Sequence, residues 1–322
     1  MNAWRYPAFW LTIGLVAVGG LAAFVTGSAT MREDMFLLLM FVALASSLNI
    51  LLGYTGYVSF GHIVFFGLGG YVGFYLISQQ GWSLWPAALV GGLASSLLAG
   101  LLGLAILRLR GAYFALATIG INEAMRAFIN NFKPFGGPTG MWLNFAAYKA
   151  YGGAANALWL TYGTLFAVTL LVLIASYVIK YSRFGLGLVA IREDEDAAMV
   201  MGVRAPAAKT WAFVLSAFVP GIVGVLFFFK NGNVEPGDAF RLHMSIETIV
   251  MVMLGGQGLV LGPVVGAATY ERLRGFLLTS PLFKSLHLAF AGLLLLIIVL
   301  FVPAGMVGWL RARFPPLRRV LE

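Results

Sequence analysis

The sequence has no cysteine and few charged residues, and these scarcities exclude several classes of function. Without cysteine there is neither a disulfide framework nor a thiolate metal site. The three histidines, His62, His243 and His287, are isolated in the sequence and show no metal-ligand spacing. No G-x-x-x-x-G-K-[ST] segment occurs, so the chain has no P-loop for a nucleotide phosphate. We therefore predict no catalytic residue, no metal site and no cofactor bound by this chain.

Apolar residues dominate the composition instead. They make up 61% of the 322 residues, while charged residues make up 10%, against about a quarter in soluble domains. Ten apolar runs approach the roughly 20 residues that a helical membrane crossing needs, although several are short. The runs are 8–26, 35–52, 62–78, 85–107, 113–129, 157–179, 210–229, 245–261, 263–278 and 286–302. The sequence predicts an all-α, polytopic membrane protein with about eight to ten transmembrane helices, forming one domain over residues 1–322.

Basic residues predict the orientation, because cytoplasmic connections of membrane proteins carry an excess of Lys and Arg. Such residues cluster in the connection 108–110, the segment 180–209 and the tail 305–322. Ten crossings with the N-terminus inside place all three clusters and both termini in the cytoplasm, and the connections 131–156 and 230–244 outside. The first run lacks a clean cleavage site, so we expect a retained anchor and not a signal peptide. The net charge of +9 indicates anionic lipid headgroups as neighbours, not nucleic acid.

The segment 180–209 carries nine of the 33 charged residues, 21 basic plus 12 acidic. A charged side chain at a bilayer centre costs roughly 2.5–3.5 kcal/mol, so we predict that this segment is a loop in water. Four acids at 193–196 suit the first turn of a short helix, where the macrodipole favours negative charge, and Gly202 suits its C-terminal stop. Arg192 and Asp196 stand four residues apart, the spacing of neighbours on one helix face.

Two interpretations of this short helix are open: a solvated connector, or a helix that docks on a soluble partner. In the second interpretation Ala197, Ala198 and Met201 insert into a groove of the partner. The candidate coupling residues are Arg192, Glu193, Asp194, Glu195, Asp196, Ala197, Ala198, Met201 and Gly202.

Glycines interrupt two apolar segments, 48–75 and 254–266. In the first, residues 53–56 are expected to break a helix, with Thr55 and Ser59 satisfying the freed backbone groups. The pattern Leu-Gly-x-x-Gly recurs at an offset of 202 residues, which indicates an internal repeat with broken helices beside a translocation path. The candidate pore residues are Gly53, Tyr54, Thr55, Gly56, Ser59, Gly61, Gly255, Gly256, Gln257 and Gly258.

Three acids, Glu123, Glu247 and Glu271, lie near the ends of apolar runs. Ionisable residues within a membrane are functional candidates, but a position near a segment end favours a structural ion pair. Elsewhere Gly69 and Gly73 form a small-xxx-small face, as do Gly92, Ser96 and Gly100, and such faces let helices approach closely.

Four segments together carry a resemblance to a known family. They are LNILLGYTGYVSFGHIVFFGLGGY from residue 48, RLRGAYFALATIG from 108, SRFGLGLVAIREDEDAAMVMGV from 182 and MVMLGGQGLVLGPVVGA from 251. In this order they resemble the membrane permease subunits of bacterial branched-chain amino acid ABC importers, in particular the M-type subunit of Liv systems. The resemblance covers roughly residues 35–310.

The resemblance implies one half of a type II-like ABC importer in the bacterial inner membrane. Its expected partners are a second, H-type permease, two cytoplasmic ATPases that bind ATP and Mg, and a periplasmic substrate-binding protein. The chain would then be a transport subunit and not an enzyme, and the segment 180–209 would couple it to the ATPases.

Tyr57, His62 and the acidic run at 193–196 depart from the usual pattern of this family. The substrate therefore stays open among branched-chain or related amino acids, urea, amides and aromatic acids. A different class, the ion-coupled secondary transporter, would use Glu123 and Glu247 as ion sites.

Overall fold

The computed structural model describes residues 7–279 and 304–314, together with positions 289, 292, 293 and 296. Nearly all of these residues are helical, as the composition predicts. The predicted crossing 286–302 falls mainly outside the described residues, as do residues 315–322 of the basic tail, including Arg318 and Arg319. The described helices are α1 (Pro7–Thr26), α2 (Ala29–Thr55), α3 (Ile63–Gln80), α4 (Leu84–Ile106), α5 (Ala112–Asn131), α6 (Ala154–Lys180), α7 (Arg183–Glu193), α8 (Glu195–Val200), α9 (Ala205–Asn231), α10 (Pro236–Ala239), α11 (Leu242–Gly255), α12 (Leu261–Thr279) and α13 (Gly305–Arg313).

Nine of the ten predicted apolar runs fall on helices: α1 to α6, α9, α11 and α12. Among the described residues, five helices are long and apolar enough to cross a membrane: α1, α2, α4, α6 and α9. The other four helices, α3, α5, α11 and α12, are shorter, less apolar or more charged. The total of eight to ten crossings therefore stays a prediction. The all-α, polytopic class is confirmed.

Contacts between residues divide the chain into two compact units. Unit 1 comprises Met1–Gly56, Thr169–Met201 and Ile246–Glu322, and unit 2 comprises Tyr57–Val168 and Gly202–Ser245. Helix α6 contributes residues to both. Because neither unit is a continuous stretch of chain, the description of residues 1–322 as one permease domain stays a prediction.

Helices α3, α4 and α9 form the core of unit 2, and small residues let them approach closely. A methyl group at Gly69 would overlap the backbone of Gly221, and one at Gly92 would lie 3.0 Å from the carbonyl oxygen of Phe218. A methyl group at Gly73 would overlap a methyl group of Val225. The glycine faces predicted on α3 and α4 are therefore contact surfaces between helices.

A short antiparallel sheet joins the two connections that were predicted to lie outside. Strand β1 (Met141–Trp142) pairs with strand β2 (Asn233–Val234), and the amide of Leu143 donates to the carbonyl of Gly232 at 2.9 Å. Nearby, the hydroxyl of Tyr148 donates to the carbonyl of Phe229 at 2.6 Å, and burial raises the pKa of Tyr148, which keeps it a neutral donor. The two connections thus lie on the same side of unit 2.

Lys209 was predicted to lie in an aqueous loop, but the structure places it in a buried position on a helix. It is the fifth residue of α9 and only 3% exposed. Its ammonium donates to the hydroxyl of Tyr57 and to the carbonyl of Leu107, both at 2.8 Å, and lies 4.8 Å from the centre of the Tyr57 ring. A carbonyl at the end of a helix carries partial negative charge, and the ring face attracts cations, so the ammonium is stabilised without water at this position.

Candidate functional site

The segment 180–209, here called the charged segment, contains two short helices, α7 and α8, where the sequence predicted one. Helix α7 begins at Ser182, whose hydroxyl accepts from the amide of Gly185 at 3.1 Å. Asp194 then ends α7 and caps α8: its carboxylate accepts from the amides of Asp196 and Ala197, both at 3.0 Å. The acids at 193–196 therefore do not share one first turn. The interruption at Asp194 also places Arg192 and Asp196 on different helices, so their spacing of four residues does not put them on one helix face.

Helix α8 ends where the sequence placed its stop. Met201 is the C-terminal cap, and Gly202 follows with a φ of 92°, a left-handed conformation that glycine adopts without steric cost.

The exposed face of α8 differs from the predicted one at Ala198, while Ala197 and Met201 are exposed. Ala198 is only 4% exposed, so its side chain is covered within this chain and is not available for a partner's groove. The exposed apolar side chains are those of Met199 at 40%, Val200 at 87% and Met201 at 84%. An apolar tip therefore projects from the most charged segment of the chain.

The first glycine break lies at the end of α2 and not within it. The helix continues through Gly53 and Tyr54 to Thr55, whose hydroxyl donates to the carbonyl of Leu51 at 2.7 Å. Gly56 follows with a φ of 77°. The break predicted within residues 53–56 thus falls at the last of them, Gly56, because a single glycine such as Gly53 costs a helix only about 1 kcal/mol, which packing outweighs. With 27 residues α2 is about 40 Å long, more than the hydrocarbon core of a bilayer, so the helix ends beyond a full crossing.

The predicted role of Ser59 in this break is wrong. Ser59 is buried, and its hydroxyl has no hydrogen-bond partner among the described residues. The hydroxyl of Thr118 instead accepts from the amide of Phe60 at 3.1 Å, and Gly61 packs against the Thr118 backbone. The residue that satisfies the freed backbone thus comes from α5.

The second glycine break separates α11 from α12, as the sequence predicts. Gly256 and Gly258 have φ values of 122° and 77°, and Gln257 lies half-buried between them. A methyl group at Gly255 would overlap the carbonyl of Gly262, so the two helices meet closely beside the turn. Gly56 and Gly258, related by the offset of 202 residues, share the same φ of 77°.

Both breaks meet the charged segment within unit 1. The buried Asn49 amide donates to the carbonyl of Leu259 at 3.0 Å and accepts from the amide of Gly258 at 2.9 Å. Arg192 Nη1 donates to the carbonyl of Gly53 at 2.9 Å. We name these five residues, Asn49, Gly53, Arg192, Gly258 and Leu259, the glycine junction. Asn49 was not predicted from the sequence, although an amide inside an apolar run is itself a signal for an internal hydrogen bond.

The three acids form ion pairs. Glu123 lies 3.7 Å from Arg126, and both side chains are about half exposed. Glu247, whose side chain is 3% exposed, lies 3.8 Å from Nε of Arg274, which also approaches Glu271 at 3.3 Å. A guanidinium between two carboxylates compensates part of their charge, which favours a structural role over an ion-binding one.

The two aromatic positions that depart from the family pattern have local roles in unit 2. Tyr57 accepts the hydrogen bond from Lys209 described above. Nε2 of the buried His62 lies 3.1 Å from the carbonyl oxygen of Ser216, which places the ring proton on that nitrogen.

Comparison with known proteins identifies the family. Residues 33–299 match the family described as branched-chain amino acid transport system, permease component. The high-affinity branched-chain amino acid transport system permease protein LivM of Salmonella typhimurium is 28% identical over 305 residues, which cover 85% of this chain and 69% of that protein. The LivM protein of Escherichia coli is 28% identical over 302 residues, with the same coverage. The LivH protein of Escherichia coli is 25% identical over 299 residues, which cover 83% of this chain and 91% of that protein. No solved structure is significantly similar to this chain.

The matched region contains the charged segment and both glycine breaks, and it spans most of the chain. It also contains every residue of the glycine junction. The predicted resemblance is thus confirmed: the chain belongs to the family of permease components of branched-chain amino acid transport systems.

Proposed function

We propose that this chain forms half of the translocation path of an ATP-driven importer for branched-chain or related amino acids. Family membership supports a transport component of a bacterial inner membrane. The substrate class follows the names of the LivM and LivH relatives. Similarity to both types also supports a second, H-type permease as the partner that completes the path.

The observation that carries the ATP-driven mechanism is the apolar tip of α8. Val200 and Met201 are more than four-fifths exposed, although they lie in the segment with the most charge. Burying a Val or Met side chain fully is worth about 1.5–3 kcal/mol, so a partner that covers this tip gains affinity from both residues. We assign the tip to docking on a cytoplasmic ATPase, the subunit that binds ATP and Mg.

The mechanism is a shift between two arrangements of the permease pair. Closure of two ATPases around ATP would move α8 and favour an outward-open path, and hydrolysis would release it. A periplasmic binding protein would deliver the amino acid. Import into the cytoplasm by this mechanism requires that the 180–209 segment and both termini lie in the cytoplasm, as the basic residues predict.

The ion-coupled alternative receives no support from the acids it would need. Glu123 is exposed beside Arg126, and Glu247 lies beside Arg274. Neither carboxylate is placed as an uncompensated ion site.

The test measures leucine uptake into proteoliposomes that contain this chain, the H-type permease, the ATPases and the binding protein. Uptake should require ATP on the side of the membrane on which the ATPases lie. Val200→Asp should abolish co-purification of the ATPases and uptake together, because the carboxylate would be desolvated in an apolar contact. Val200→Thr, which keeps the shape, is the matched control and should retain both.

Two results would contradict the proposal. One is uptake driven by an ion gradient without ATPases. The other is full association and uptake by Val200→Asp, which would reduce the charged segment to a connector.

A further inference from the structure

We propose that Arg192 is a positioning residue that transmits movement of the docking helix α8 to both glycine breaks. The proposal rests on the proposed function, because it assumes that an ATPase moves α8. It adds a specific physical link, made by one side chain, between the charged segment and the ends of the membrane helices.

The first part of the link is the position of Arg192 in the chain. It is the second-last residue of α7, and α8 begins three residues later, after the Asp194 cap. Its guanidinium is held by Glu193, whose Oε1 accepts from Nε at 3.2 Å and from Nη2 at 2.7 Å. Two bonds to one carboxylate orient the planar group, which leaves Nη1 pointing at a fixed place.

The second part is the end of α2. The last four carbonyls of a helix have no intrahelical partner, and that of Gly53 belongs to this group in α2. Arg192 Nη1 satisfies it at 2.9 Å, where the negative end of the helix dipole also favours a cation. The stem of Arg192 passes Gly56, where a methyl group would lie 3.1 Å from its Cγ. The chain thus has a cation bound at the point where α2 ends.

The third part is the second break, which lies against the same groups. A methyl group at Gly258 would lie 2.9 Å from Arg192 Nη1 and 3.0 Å from the Gly53 carbonyl oxygen. One at Gly53 would lie 2.6 Å from the amide nitrogen of Gly258 and would overlap the Asn49 side chain. Only glycine at positions 53 and 258 leaves room for the guanidinium and for the close approach of the two backbone segments.

The three parts make the link sensitive to small displacements. Hydrogen bonds of this kind have donor–acceptor distances of about 2.7–3.2 Å, so a movement of α8 that displaces the adjoining end of α7 by roughly 1 Å must either break the Arg192–Gly53 bond or move the end of α2 with it. Asn49 connects α2 to the second turn through two further bonds. Movement at Arg192 therefore reaches both glycine breaks.

The experiment compares Arg192→Gln, Arg192→Lys and Arg183→Gln in the complete transporter complex in proteoliposomes. Arg183 is exposed in the first turn of the same helix, so its change to Gln removes the same charge outside the glycine junction. Uptake of leucine and hydrolysis of ATP are measured in the same preparation, and the ratio of the two is compared.

We expect Arg192→Gln to assemble with the ATPases and to hydrolyse ATP, while leucine transported per ATP falls about tenfold or more, as for loss of a charge-assisted hydrogen bond. Stimulation of hydrolysis by the loaded binding protein should also be lost. In Arg192→Lys the ammonium can reach the Gly53 carbonyl or the Glu193 carboxylate but not both, so this variant should give an intermediate ratio. Arg183→Gln should transport as much leucine per ATP as the unmodified complex.

An unchanged transport ratio in Arg192→Gln overturns the proposal, because a purely structural role lowers uptake and hydrolysis in proportion to the amount of complex. If Arg192→Gln fails to assemble, Arg192→Lys decides, and an unmodified ratio in that variant overturns the proposal equally. Failure of the unmodified complex to show ATP-dependent uptake would instead refute the proposed function.

Discussion

Replacing Asn49 by leucine tests how much the glycine junction stabilises the protein. Leucine has the same branching and the same number of side-chain heavy atoms as asparagine, but its methyl groups are larger, so the change removes the polar contacts and also adds some crowding, which the same substitution at a control position matches. Asn49 makes two hydrogen bonds across 209 and 210 residues of sequence, to the amide of Gly258 and the carbonyl of Leu259. Each bond is worth about 1 kcal/mol net, and a buried group left without its partner costs about 1–3 kcal/mol.

The expected loss of stability is about 2–4 kcal/mol, because Gly258 and Leu259 are partly exposed and water can satisfy them in part. A matched control is Asn122→Leu in unit 2. Asn122 is equally buried, but its amide donates one hydrogen bond, to Phe240 at 3.0 Å, and its oxygen has no hydrogen-bond partner among the described residues. Its loss should be about 1–2 kcal/mol.

The assay is thermal unfolding of the purified variants in one detergent, together with limited proteolysis of the turn 256–260. Asn49→Leu should lower the unfolding midpoint by several degrees, more than Asn122→Leu does, and should make the turn susceptible to protease. An equal or smaller effect than that of Asn122→Leu would refute the reasoning, because the two hydrogen bonds would then not hold the second break.

Two further predictions concern orientation and the first break. Because the chain has no cysteine, a single cysteine at the exposed Ala150 should react with a membrane-impermeant reagent added outside, and one at Ala197 should not; the reverse labelling would overturn the orientation. Gly56→Leu places a side chain at a φ of 77° and 3.1 Å from the stem of Arg192, a strain of about 1–2 kcal/mol, so uptake should fail while the complex assembles. Loss of assembly alone would assign Gly56 to packing.

Hydrophobic runs were sufficient to predict most of the long helices, because burial in lipid or protein requires long stretches of apolar side chains. They were not sufficient for α7, in which Gly185 and Gly187 weaken the helical signal; Gly185 is required because it packs against the Ile179 backbone. They also did not show where within residues 53–56 the first break falls, since local glycine propensity at Gly53 is weaker than the packing around α2.

The glycine junction was beyond prediction from the sequence. Its two glycine patterns were visible, but the residue that joins them, Asn49, lies 209 positions from Gly258. Arg192 was assigned to coupling on charge alone, and its bond to the Gly53 carbonyl depends on how α7 packs beside α2. Such contacts depend on tertiary packing, which local sequence patterns do not reveal.

The burial of α2 has a consequence for how the protein responds to its lipid. Within its most apolar stretch 83% of α2 is buried inside the protein, compared with 33% for α1 and 28% for α4. Hydrophobic mismatch tilts or displaces a helix through its contact with acyl chains, and α2 has little such contact. Thinner or thicker bilayers therefore act on α1 and α4, while α2, which ends at the glycine junction, is held by its protein neighbours.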